Sequence, residues 1–172
     1  MKKLSPKKYA LFIAIIVLGI GIDQLTKFLS VKFLAPIRSL PIIKGIIHLT
    51  YLENRGAAFG MFADSRWIFM AVSTIAIIGM TFYLFSGMCQ SRLYEISISL
   101  IISGGIGNMI DRIALGYVVD MIDFRLIKFA IFNGADSLVC IGAGLIILAL
   151  IDDAINMTKD DTEEDNNAPD SN

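Results

Sequence analysis

The chain has 172 residues, 55% of them hydrophobic, with 15 basic and 16 acidic side chains and a formal net charge of -1. A mean hydropathy of +0.67 exceeds that of a soluble domain, so much of the apolar surface requires lipid as its solvent. The near-zero charge and the lack of a basic patch argue against a nucleic-acid partner, and apolar runs without alternation exclude a membrane barrel.

In chain order, residues 1–8 form a basic tail with Lys2, Lys3, Lys7 and Lys8, which the positive-inside rule assigns to the cytoplasm. The apolar run Tyr9 to Ile22 follows. Tail and run together imitate a secretory signal peptide, but Asp23, Gln24 and Lys27 stand where a small-residue cleavage site would, which predicts an uncleaved span. Segment 26–66 is too apolar for a floppy loop. Within it, Gly45 to Leu52 is rich in β-branched and aromatic residues and Asn54-Arg55-Gly56 supplies turn chemistry, predicting a small sheet or hairpin. The runs Trp67 to Met88 and Ile96 to Ile110 come next. Gly104-Gly105-Ile106-Gly107 lacks the marks of a phosphate or dinucleotide loop and reads as small-residue helix packing. In segment 111–133, Tyr117 to Phe124 reads as extended, and strand alternation points Asp120 and Asp123 to opposite faces. A last run, Ser137 to Ile151, precedes residues 152–172, whose eight acids and one lysine predict a disordered cytoplasmic tail.

Backbone groups in hydrocarbon are satisfied by helices. The expected fold is therefore a membrane all-α core, residues 9–151, of four transmembrane helices with a small extracytoplasmic β-sheet and loop platform. An even number of spans puts both termini on one side and gathers Asp23, Asp111, Asp120 and Asp136 on the other. The overall Lys and Arg count opposes this orientation, nine in the outer segments against six elsewhere; the tail outweighs it because the first span usually sets topology. Three runs cover only about 22 Å of a hydrocarbon core of roughly 30 Å, which pulls the flanking charges toward the membrane. A carboxylate there is costly, so the default reading is an active or transport site, against the plainer one of helix-end charges among headgroups.

The chemistry follows by elimination. His48, Cys89 and Cys140 give neither a thiol–histidine pair nor zinc-ligand spacing, so no metal or cofactor is expected, and His48 reads as an ordinary packed or surface residue. A pair of aspartates remains. Two carboxyls in a water-poor site cannot both ionise cheaply; one keeps a proton while the other draws a proton from water, and such a pair hydrolyses an amide without a covalent intermediate. Spacing alone does not say which aspartates pair. Asn133 and Asp136 also suit helix capping, with Asn133 as N-cap. A proton-coupled transporter is a rival that would place its acids near span centres, and a lipid-headgroup enzyme would want metal ligands or a nucleophile.

Five blocks carry a resemblance: Asp23-Gln24-Leu25-Thr26-Lys27, Glu53-Asn54-Arg55-Gly56-Ala57-Ala58-Phe59-Gly60, Gly104 through Arg112, Gly116-Tyr117-Val118-Val119-Asp120 and Phe132-Asn133-Gly134-Ala135-Asp136-Ser137. In this order they resemble bacterial lipoprotein signal peptidase, also called signal peptidase II, across roughly Tyr9 to Ile151. The resemblance implies a membrane aspartic endopeptidase of the inner membrane that removes the signal peptide from diacylglyceryl-modified prolipoproteins, cutting before the lipidated cysteine near the extracytoplasmic face. It assigns Asp120 and Asp136 as the catalytic dyad, and Asn54, Asn108, Arg112 and Asn133 as holding substrate or dyad. Asp23, Lys27, Gly56 and Asp111 shape or support the site, and Asp123 is structural. Partners are then the prolipoprotein and membrane lipid, and a monomer is expected because one chain holds the whole site. The chain departs from the family pattern at Met121, where phenylalanine is usual, at Gly134, where a branched aliphatic is usual, and in lacking a proline before Phe132. Glycine at 134 gives the first turn before Asp136 extra freedom.

Overall fold

The computed structural model of the chain describes residues 4–56, 66–89 and 91–166; Lys2, Lys3, the Ala57 to Gly60 part of the second motif block and residues 167–172 lie outside the described residues. Ser5 caps the first helix by accepting the Lys8 N–H at 3.4 Å, and Pro6 opens it where a missing N–H does no harm. This helix, α1 (Pro6–Leu29), passes into a π-helical turn, Ser30–Leu34. The order continues β1 (Ser39–Ile43), β2 (Ile47–Asn54), α2 (Arg66–Phe85), α3 (Arg92–Ala114), β3 (Val118–Phe124), a 3-10 turn at Arg125–Ile127, and α4 (Gly134–Asn166).

Three helical stretches among the described residues, Pro6–Leu34, Arg92–Ala114 and Gly134–Asn156, are long and apolar enough to cross a membrane; α2 adds the shorter apolar stretch Met70–Phe85. Polarity is inverted relative to a soluble bundle. Leu18, Ile22, Val72, Ile75 and Ile147 point outward, while Ser97, Ser99 and Ser103 of α3 are buried between helices. The Ser97 and Ser99 hydroxyls donate to carbonyls one turn earlier, and Ser103 donates to the Ile16 carbonyl of α1 at 3.2 Å. Small polar residues allow close helix approach where lipid supplies no hydrophobic drive between helices. A β carbon on Gly104 would overlap the Ala135 carbonyl, which explains the glycine-rich run as packing. Helix α3 is thus central, against α1, α2 and α4. At the end bearing the chain's amino terminus, Lys8 pairs with buried Glu95, whose Oε2 has no hydrogen-bond partner among the described residues.

The three strands form one antiparallel sheet in the order β1-β2-β3. The turn joining β1 to β2 contains Gly45 at φ +78°, which a glycine adopts without strain. Asn54-Arg55-Gly56, expected to supply the turn, instead lies at the far end of β2, and β1 with its proline was not foreseen. Phe132 straps onto β3: the Met121 and Ile122 N–H groups donate to its carbonyl at 3.0 and 2.8 Å, and its own N–H donates back to Ile122 at 3.1 Å. Leu34, Tyr51, Val119 and Met121 form a small core joining the sheet to the π-helical turn.

Two boundaries move. The helices outrun the apolar runs: Lys27 lies inside α1, and Asp111 and Arg112 inside α3, rather than in segments 26–66 and 111–133, and Asp23, just past the first run, is within α1 as well; charges that pair with one another need not end a helix. Helix α4 continues past Ile151 to Asn166, so residues 152–166 are helical where composition predicts disorder.

Candidate active site

Asp23 and Lys27 are one turn apart on α1 and share a face. The Lys27 ammonium lies 2.9 Å from Asp23 Oδ2, 3.2 Å from Asp111 Oδ2 and 3.0 Å from Asn108 Oδ1. All three ion partners are nearly inaccessible to solvent. Each carboxylate keeps another contact that carries it to the next element. Asp23 Oδ1 accepts the Ala135 N–H at 2.7 Å, fixing the start of α4, and Asp111 Oδ2 accepts the Val119 N–H at 3.0 Å, fixing β3. Gln24, not singled out for a role from sequence, donates to Asp111 Oδ1 at 3.0 Å and approaches the Gly107 carbonyl at 3.2 Å. A neutral amide between two charges in an apolar helix was the available signal.

That framework sets Asp120 of β3 against the start of α4. Asp120 Oδ2 accepts from Asn54 Nδ2 at 2.9 Å, and Oδ1 accepts from Asn133 Nδ2 at 2.6 Å. Asn54 is aimed by its own Oδ1, which accepts the Gly56 N–H at 3.0 Å. Asn133 Nδ2 also approaches Asn108 Oδ1 at 3.1 Å, and Asn108 Nδ2 donates to Asp136 Oδ1 at 2.7 Å. The two carboxyls are thus joined through Asn133 and Asn108.

Capping and clustering coexist. Asp136 N–H donates to Asn133 Oδ1 at 2.9 Å and Asn133 N–H to Asp136 Oδ2 at 3.2 Å, a reciprocal cap at the start of α4, while Asp136 Oδ1 remains with Asn108. Arg112 donates to the Asn108 carbonyl at 3.3 Å, and its charge acts on Asp136, Asp120 and Asp111.

Asp120 is fully buried and Asp136 half-buried. Burial raises the Asp120 carboxyl to about 6, helped by the Asp136 charge and opposed by the Asn54 and Asn133 donors and the Lys27 charge. Asp123 does point away from Asp120. It accepts from Thr50 at 2.8 Å and Arg125 at 2.9 Å, and these donors outweigh burial and hold it below the usual carboxylate range. His48 is packed in the same sheet, with Nε2 accepting the Gly45 N–H at 3.3 Å. Asp23, Lys27, Asn54, Gly56, Asn108, Asp111, Arg112, Asp120, Asn133 and Asp136 therefore form one connected cluster where three helices meet the sheet.

Comparison with known proteins agrees on one family. Residues 15–152 match the family described as Signal peptidase (SPase) II. The lipoprotein signal peptidase of Clostridium tetani is 46% identical over 142 residues, 81% of this chain and 91% of its own length. That of Caldanaerobacter subterraneus is 45% identical over 131 residues, 76% of this chain and 89% of its own. A bacterial membrane enzyme solved by the in meso method at 2.3 Å shares the fold with a TM-score of 0.77 at 33% identity, over 86% of this chain and 91% of that one. The chain is a multi-pass membrane protease and belongs to the signal peptidase II family.

Proposed function

We propose that this protein removes the signal peptide from diacylglyceryl-modified prolipoproteins, cutting before the lipidated cysteine, with Asp120 and Asp136 as its catalytic pair. The observation that carries the reading is the amide chain Asn54, Asp120, Asn133, Asn108, Asp136, which couples one buried carboxyl to one half-buried.

Asp120, with its proton affinity raised, is the carboxyl that keeps a proton; Asp136, nearer solvent, takes one from water. The hydroxide equivalent adds to the carbonyl carbon before the cysteine as Asp120 passes its proton to the carbonyl oxygen, giving a gem-diol. Asp136 then protonates the departing amine, the carbon–nitrogen bond breaks, and a diol proton returns to Asp120, restoring the dyad. The pair's titration belongs to both groups. Arg112 and the amides of Asn54, Asn108 and Asn133 hold the substrate backbone and the carboxyls, while Asp23, Lys27, Gly56 and Asp111 keep those groups in place.

The topology that suits this chemistry has four spans within residues 9–151, α2 being the second, with both termini cytoplasmic and the dyad near the extracytoplasmic face of the inner membrane. A monomer suffices. The test is cleavage of a diacylglyceryl-modified prolipoprotein in detergent, followed by product mass. Wild type releases the signal peptide, and Asp120→Asn and Asp136→Asn each lose at least about a thousandfold in rate, within the range expected for removing an acid–base partner. Comparable rates in both variants would end the dyad assignment.

A further inference from the structure

Beside the dyad, on the α1 side, lies an apolar cavity of about 590 Å³. Its inner wall contains Met121 and Gly134, the residues that directly follow Asp120 and Asn133 in the chain. The outer wall is Leu29, Phe33, Ile37 and Leu40, with Leu49 and Ile122 of the sheet above. The Thr26 hydroxyl, also on the wall, is already donated to the Asp23 carbonyl at 2.8 Å.

The cavity is continuous with the outside of α1. Leu18, Ile22, Leu25, Leu29 and Phe33 are all exposed and follow one another at steps of three or four, so they make a single apolar stripe along the helix that ends at the cavity mouth. Its inner end is a matter of one side chain. A β carbon built on Gly134 would stand 3.4 Å from Asp23 Oδ1 and 3.5 Å from Thr26 Oγ1, ordinary contacts, so neither strain nor crowding demands glycine there. Glycine instead leaves this part of the cavity wall without a side chain.

We infer that this cavity seats one acyl chain of the substrate's diacylglyceryl group, and that Gly134 sets its depth and so the chain length the enzyme prefers. The inference rests on the peptidase reading above and deepens it. The lipidated cysteine is joined to the scissile bond, so its acyl chains begin close to the dyad, and a cavity that has Met121 and Gly134 on its wall and reaches the lipid-facing stripe at Leu29 and Phe33 lets one chain enter from the bilayer while the second stays in lipid. A volume of this size is that of a small-molecule site. Because the chain leaves one hydrocarbon environment for another, seating it yields little affinity. Its effect is to orient the scissile carbonyl, which belongs in kcat rather than KM.

The experiment compares lipopeptides of one sequence bearing two long or two short acyl chains, in wild type, Gly134→Leu and Ile37→Trp, the last filling the outer wall away from the carboxylates. Wild type should turn over the long-chain substrate faster. In both variants the ratio of long-chain to short-chain kcat should fall about tenfold, with KM little changed. An unchanged ratio in Ile37→Trp, folded and active, overturns the inference. A readout free of turnover uses the Asp120→Asn protein and a lipopeptide with a diazirine midway along its acyl chains. Labelling within residues 29–40 supports the inference; labelling confined to other segments, or blocked by excess phospholipid and not by excess lipopeptide, overturns it in favour of a resident membrane lipid. Failure of wild type to cleave either substrate, with labelling of 29–40 intact, would instead count against the peptidase reading.

Discussion

Lys27 stands between two buried carboxylates that also hold the first residues of β3 and α4. Replacing it with methionine leaves both acids uncompensated away from water, a loss of about 3–5 kcal/mol by the usual cost of breaking a buried ion pair. Thermal unfolding of Lys27→Met in detergent should show a correspondingly lower Tm, with Lys27→Arg intermediate. Asp120 offers a second residue-level test, through pH. Its folded-state pKa of about 6 exceeds the ordinary value of 3.8, so the folded chain keeps this proton across an interval in which the unfolded chain has lost it. Holding the charged form costs stability above pH 6, and that cost disappears as pH falls through 6 toward 4. In the proposed reaction this is the proton that is transferred, so the alkaline limb of kcat/KM should follow it, near pH 6 for the free enzyme. The Asn54 amide favours the ionised carboxyl, and Asn54→Ala should move that limb to higher pH; a limb that stays fixed or moves down would reassign the proton. The aspartates themselves were legible from their motif blocks. The amide links between them were not, because Asn54, Asn108 and Asn133 come from three separate elements whose meeting depends on the whole fold.

Among the elements, the α3–α4 contact controls the site most directly. Gly104 lets the Ala135 carbonyl approach, and four residues on, one turn along the same helix, Asn108 meets Asp136. Gly104→Val must push the helices apart, at a cost of about 1–3 kcal/mol or more for overpacking, and it should lower kcat as well as Tm. Gly144, with open space around a β carbon, is the control, and Gly144→Ala should leave both unchanged. Four helical segments and the strand character of residues 47–52 and 118–124 could be read from composition and β-branched content. β1 could not: its exposed Leu40, Pro41, Ile42 and Ile43 carry no alternation, and a proline argues against a strand until the sheet edge that tolerates it is known. Helix ends were misplaced for a different reason. Counting apolar residues stops at the first charge, whereas Asp23 and Lys27, spaced one turn apart, neutralise each other and let α1 continue.

At the scale of the molecule, α3 is tied to α1 by charge at both ends, through Lys8 with Glu95 and through Lys27 with Asp111. The lipid-facing apolar stripe of α1 runs between these ties and on past Lys27 to Phe33. The helical rise from Lys8 to Lys27 is about 28 Å, close to the roughly 30 Å of hydrocarbon in a typical bilayer. A bundle of this span suits a bilayer of ordinary thickness. In a bilayer several ångströms thinner or thicker the bundle must tilt or the lipid deform, and either response changes how far the Asp120 and Asp136 carboxyls sit from water and from the acyl chains of an arriving substrate. Reconstitution in phosphatidylcholines of graded chain length should show turnover peaking at one thickness and falling on both sides, with Lys8→Ala broadening the peak by releasing one of the two ties between α1 and α3.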